Sequence, residues 1–121
     1  MRLLLISNST NTGEAYLDYP KHEIKKFLGN NVKKVLFVPY AAVTFSFDEY
    51  QQKVQERFSE LGYEVDSIHH YNPAQKKQAL KDAEVIVVGG GNTFNLIKIL
   101  QQQDLIETIR YECLKGKPYV G

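Results

Sequence analysis

Gly89-Gly90-Gly91-Asn92-Thr93 is the stretch whose residue types could do chemistry. Three residues without Cβ atoms allow a sharp turn and let a ligand approach the backbone closely. Asn92 or Thr93 can cap a helix that begins directly after them. Free N–H groups and the helix dipole at that point suit an anion or a developing oxyanion. The run is not a dinucleotide fingerprint, because Phe94 stands where G-x-G-x-x-G needs glycine. Nor is it a phosphate loop, because no Lys-Ser or Lys-Thr follows. A tight strand-to-helix turn without a ligand is the plain alternative, although three consecutive glycines exceed what a turn needs.

The other reactive residue types are sparse. His69 and His70 are adjacent, so on a strand they point to opposite faces and cannot share one site without a bend. They are read as strand-end residues, and His22 as a solvated position on a charged helix face. Cys113 falls inside an expected helix, four residues after Ile109, which makes it core rather than nucleophile. One cysteine excludes an internal disulfide and a Cys-based zinc site. There is no H-E-x-x-H or EF-hand loop, and no metal or cofactor is expected.

The elements that must position the glycine run alternate. Val85-Ile86-Val87-Val88 reads as a strand buried on both faces, the pattern of a central parallel strand. Leu3-Leu4-Leu5-Ile6 and Val35-Leu36-Phe37-Val38 are similar runs. Tyr63 to Ile68 is a less apolar strand placed at a sheet edge, and Pro118-Tyr119-Val120 begins a fifth. Ser46 with Glu49 three residues later is a capping box for a helix with apolar positions Phe47, Tyr50, Val54, Phe58 and Leu61. Glu14 to Leu28 is read as helical with a break at Pro20, and Asn72-Pro73 as the start of a short helix to about Lys81. A helix after the glycines is expected to bury Phe94, Ile97 and Leu100, with Leu96 alongside. Asp104 is expected to cap the next, with Leu105, Ile106, Ile109 and Leu114 inward. This alternation argues for an α/β, doubly wound, mostly parallel sheet with helices on both faces, formed by one domain over 1–121. Ligands of such sheets sit at the C-terminal strand ends. The candidate loops are therefore Ser7 to Gly13, Pro39 to Thr44 and Gly89 to Asn92.

The 121 residues carry 15 basic and 14 acidic side chains, a formal net charge of +1, which offers no electrostatic case for nucleic acid or an anionic membrane. No apolar run approaches the roughly 20 residues of a membrane span. The start Met1-Arg2-Leu3-Leu4-Leu5-Ile6 is too short for a signal peptide, so a cytoplasmic setting is expected.

Leu3 to Thr10, Phe37-Val38-Pro39-Tyr40-Ala41, Asp48-Glu49-Tyr50 and Val87 to Phe94 together resemble peptidase E, the aspartyl dipeptidase family of serine peptidases. The resemblance spans the whole chain in order, and Gly-Gly-Gly-Asn-Thr-Phe is its most specific element. It implies a class I glutamine amidotransferase-like fold and a Ser-His-Asp type hydrolase that needs no metal. The implied substrates are dipeptides with N-terminal aspartate (Asp-Xaa). Gly91 matches the position whose backbone N–H serves the oxyanion hole, and Gly90 and Asn92 match the lining of the substrate site. Ser9, Tyr40 and Thr44 are wall candidates by loop position. Pro118 to Gly121 matches the strand entering a G-x-S-x-G elbow. The serine, histidine and acid would then lie beyond Gly121, so the 121 residues alone are expected to be inactive. An uncovered sheet face would favour association with a missing C-terminal half, or self-association through the exposed sheet edge. A bulkier residue at Gly91 is expected to lower kcat with little effect on folding. Two rival readings are a non-catalytic module binding phosphate or nucleotide at Gly89 to Thr93, and an inactive truncated relative.

Overall fold

The computed structural model describes residues 1–6 and 21–121. Its elements run β1 (Leu3–Leu4), α1 (Lys21–Leu28), β2 (Lys34–Val38), α2 (Phe47–Glu60), β3 (Glu64–Ser67), a 3-10 turn (Ile68–His70), α3 (Lys76–Asp82), β4 (Ile86–Val88), α4 (Thr93–Gln102), α5 (Ile106–Leu114) and β5 (Tyr119–Val120). All five strands are parallel, in the order β1-β5-β4-β2-β3. β5 therefore lies inside the sheet, between β1 and β4, and β3 is at an edge as its lower apolarity suggests.

Successive strand residues point to opposite faces, and both faces of the central strands are covered. Val35, Phe37, Val85, Val87 and Val120 pack with Ile24 and Leu28 of α1 and with Tyr50, Val54 and Phe58 of α2. Leu36, Val38 and Ile86 pack on the other side with Ala79 and Leu80 of α3, Leu100 of α4 and Leu105. Burial of each such side chain contributes about 1.5–3 kcal/mol, so the central strands are the strongest determinant of the fold. This is the α/β doubly wound class that the alternation of strands and helices predicts.

Local signals act as expected at several ends. The Ser46 hydroxyl accepts from the Glu49 N–H at 3.0 Å and its O–H donates to the Glu49 carboxylate at 3.3 Å. Gly29, Gly62 and Gly116 all have positive φ where α1, α2 and α5 stop. The α1 reading applies from Lys21; its part over Glu14 to Pro20 lies outside the described residues.

Four expectations change. α3 begins at Lys76, three residues later than Asn72-Pro73 suggests, because Asn72 closes a separate turn by accepting from the Gln75 N–H. α4 buries Leu100 and packs Leu96 and Ile99, while Phe94 is 80% and Ile97 41% exposed. Two apolar stripes overlap in this helix, and Asn95, bonded to the Tyr40 carbonyl, sets which one faces inward. Asp104 ends α4 rather than starting α5. It takes a left-handed conformation (φ +57°), with Asp104 N–H on Gln101 O and Leu105 N–H on Leu100 O, a Schellman stop. Leu114 is exposed, and the buried residues of α5 are Glu112 and Cys113.

His69 and His70 do not alternate across a strand. Pairing of β3 with β2 ends at Ser67, opposite Phe37. Ile68 then turns under to become fully buried among the helices, and Tyr71 N–H closes the turn on Ile68 O. That turn brings both imidazoles to one side, where they meet Asp48 of α2.

Candidate active site

β4 delivers the glycine run to the C-terminal edge of the sheet, beside the loop that leaves β2. The two loops are fastened together. Gly89 N–H donates to Val38 O at 3.1 Å and Asn92 N–H to Ala41 O at 2.9 Å. Asn95 Nδ2 donates to Tyr40 O at 2.8 Å. From the opposite helix layer, the buried Tyr50 hydroxyl donates to Gly90 O at 3.0 Å. The Tyr50 ring also stands where a Cβ on Gly89 would lie, 2.6 Å from its hydroxyl oxygen. Edge contacts to Phe37 and Phe45 hold that ring in place.

Gly91 has φ +140°, and a Cβ there would come within 2.6 Å of Ala41 O. Only glycine fits both the backbone and the space. Gly90 and Gly91 are exposed residues, and their N–H groups make no hydrogen bond among the described residues. They stand before α4, whose first turn holds no acidic residue to offset its positive end. Two unengaged amides on a constrained turn can donate to a charge that develops on a substrate oxygen.

The structure distributes the expected site residues unevenly. Gly90, Gly91 and Asn92 form one exposed turn. Asn92 caps α4, its Oδ1 accepting from Asn95 N–H at 2.9 Å, so that oxygen is already engaged. The Tyr40 carbonyl meets α4, accepting from Asn95 Nδ2, and not the turn itself. The Tyr40 ring is buried beneath α3 and α4, with the hydroxyl donating to Gln103 Oε1 and accepting from Lys76 Nζ, so the side chain forms no open wall. Thr44 is exposed in the bend before Ser46. Ser9 and the loop from Ser7 to Gly13 lie outside the described residues.

Among the described residues, several other nucleophile and base candidates are otherwise employed. Burial pushes the Cys113 thiol up, which suits the core role. Ser46 caps α2, and Ser59 accepts from Gln55. A groove of about 470 Å³ lined by Val35, Asp66, Tyr71, Gln78, Asp82 and Glu84 contains none of the glycine-turn residues. Its Tyr71 hydroxyl donates to Asp66 and is pushed up to about 12, so it supplies no base at neutral pH.

Tyr50 and Asn95 are the positioning residues that sequence reasoning missed. Tyr50 was marked only by its place in the apolar stripe of α2 and in the Asp48-Glu49-Tyr50 segment, neither of which implies a bond to a residue forty positions away. Tyr50→Phe keeps the ring and removes the bond to Gly90. It is expected to lower unfolding free energy by about 1 kcal/mol. Urea unfolding measures this, and an unchanged midpoint would show that the hydroxyl does not hold the turn.

Residues 3–121 match peptidase family S51. Peptidase E of Nostoc sp. (strain PCC 7120) is 50% identical over 120 residues, covering 99% of this chain and 49% of that protein. Peptidase E of Shewanella denitrificans is 44% identical over 118 residues, covering 98% and 49%. Among solved structures, a peptidase from an acI-B1 actinobacterium superposes with a TM-score of 0.69 at 25% identity, over 98% of this chain and 52% of that one. The chain thus spans about half the length of the curated relatives it matches.

Proposed function

The chain belongs to peptidase family S51, and from that membership we propose that it is the oxyanion-stabilising half of a serine-type dipeptidase. The proposed substrates are small peptides with N-terminal aspartate, and the proposed setting is cytoplasmic. The observation that carries the reading is the amide of Gly91, an exposed residue, without a partner among the described residues and held on a turn that tolerates only glycine. In this proposal the serine nucleophile, its histidine base and the acid would lie beyond Gly121. In the full-length protein the serine would attack the peptide carbonyl while histidine takes its proton. Negative charge would then move to the carbonyl oxygen, where Gly91 N–H donates. One such donor is worth about 3 kcal/mol in the transition state. Gly90 and Asn92 would border the substrate, and Tyr40 would act from behind by seating α4 through Asn95.

Association is proposed through β1, the other sheet edge, where Leu3 and Leu5 are exposed. Among the described residues no helix is long and apolar enough to cross a membrane.

The test is hydrolysis of Asp-Leu against Leu-Asp by the full-length protein. Asp-Leu is expected to be cleaved and Leu-Asp left intact. Cleavage of both would overturn the aspartate preference. Cleavage of neither, with phosphate shifting the Gly90 and Gly91 amide resonances, would support an anion-binding module instead.

A further inference from the structure

We propose that Asp48, His69 and His70 form a binding site for one divalent transition-metal ion of the zinc class, at the open end of β3 and separate from the glycine turn. Asp48 Oδ1 lies 2.7 Å from His69 Nε2 and 3.0 Å from His70 Nε2. One ligand atom from each of the three residues lies within 4.8 Å of the others. Around a zinc ion with bonds of about 2.0–2.1 Å, donor atoms stand roughly 3 Å apart or slightly more, so a small outward movement admits the ion. Two imidazoles and one carboxylate suit Zn²⁺, Co²⁺ or Ni²⁺ better than Ca²⁺ or Mg²⁺, which prefer oxygen donors.

The surroundings support the site. Ser67, fully buried at the end of β3, is hydrogen-bonded to His69 Nδ1. That contact orients the ring with Nε2 toward Asp48, the outer support that metal-binding histidines characteristically have. Phe47 packs edge-on against the His69 ring, with centroids 5.7 Å apart. Asp48 sits in the first turn of α2, fixed by the Ser46 cap. The site is also accessible, since the Asp48 and His70 side chains are 78% and 51% exposed while His69 is 13% exposed. A cation can therefore enter from solvent and keep water on its remaining positions.

The same atoms include the sequence Ser67–His69–Asp48, which has the composition of a hydrolytic triad. Ser67 has no exposed surface, so no substrate carbonyl can reach its oxygen. The His70 contact to the same carboxylate oxygen has no place in a triad but completes a three-ligand site. By joining the first turn of α2 to the turn after β3, the ion would brace the helix that carries Tyr50. The proposal does not depend on the peptidase reading.

Tag-free, full-length protein titrated with ZnCl₂ by calorimetry tests it, with Co²⁺ absorption as the second readout. The expected result is one equivalent bound at micromolar Kd, with a Co²⁺ visible band. Asp48→Asn and His70→Ala alter exposed side chains, and each is expected to weaken binding by at least about tenfold. Ser67→Ala, which removes only the support for His69, should weaken it by about tenfold. No uptake at micromolar zinc, or an affinity unchanged in both ligand variants while circular dichroism shows them folded, would overturn the proposal.

Discussion

On the proposed dipeptidase reading, Gly91→Ala in the full-length protein is expected to lower kcat for Asp-Leu by a factor of about 100–1,000, the usual cost of losing one oxyanion donor. The methyl group would meet Ala41 O at 2.6 Å, and alanine rarely adopts φ +140°. Relief of that contact must rotate or displace the peptide that presents the Gly91 amide. Folding is affected as well, with a cost of about 1–3 kcal/mol for the strained backbone. The sequence-based expectation that a bulkier residue would spare folding is therefore corrected by the Ala41 contact. Gly90 provides the comparison for stability, because a Cβ there meets nothing within 4 Å and its φ is not in the left-handed region. Gly90→Ala is expected to change unfolding free energy by under about 0.5 kcal/mol. Thermal melts of both variants, with kcat and KM of the folded Gly91→Ala protein, decide the matter. An unchanged kcat would remove Gly91 from the oxyanion role.

Lys117→Met is expected to destabilise strongly, by about 3 kcal/mol, because it leaves a buried carboxylate with only the more distant Lys115 as ion-pair partner. Glu112 is 3% exposed and bonds Lys117 Nζ at 2.9 Å, with Lys115 at 3.6 Å. Lys117 Nζ also donates to Leu80 O at 2.7 Å and Lys81 O at 2.8 Å, tying the end of α5 to the end of α3. Denaturant unfolding measures the loss. Adding Glu112→Gln to Lys117→Met should restore part of it, since the uncompensated charge is then gone. Burial pushes the Glu112 carboxyl up, but bonding and charge from Lys117 and then Lys115 outweigh this and hold it below its ordinary value. The folded state thus binds this proton less readily than the unfolded chain. Its contribution is complete above the ordinary glutamate value of about 4.3 and is lost as pH falls through the lowered one. Acid sensitivity in that range should disappear from the double variant. If Lys117→Met unfolds within about 1 kcal/mol of the parent, the pair has no such structural role.

Much of the frame was legible because its causes are local. Val35 to Val38 and Val85 to Val88 are apolar on both faces, which suits only a covered parallel strand. Ser46 with Glu49, and the glycines at 29, 62 and 116, mark ends through the backbone geometry of a few neighbouring residues. Gly89 to Asn92 announced a strand-to-helix turn by composition alone. The side of α4 that turns inward was not legible, because residues 94/97/100 and 96/99/100 are both apolar and the choice rests on Asn95 meeting Tyr40. Tyr40's burial was hidden for a similar reason, since its partners Lys76 and Gln103 lie far along the chain.

By itself, the sequence determined the alternation of strands and helices, the glycine turn and the kinship with the peptidase E family. Those properties depend on residue type and on spacing within one element. Only the tertiary structure decided that Tyr50 holds Gly90, that Ala41 forbids a side chain at Gly91, and that His69 and His70 converge on Asp48. Each is a contact between segments twenty or more residues apart, set by how helices seat on the sheet, and no local pattern specifies that seating.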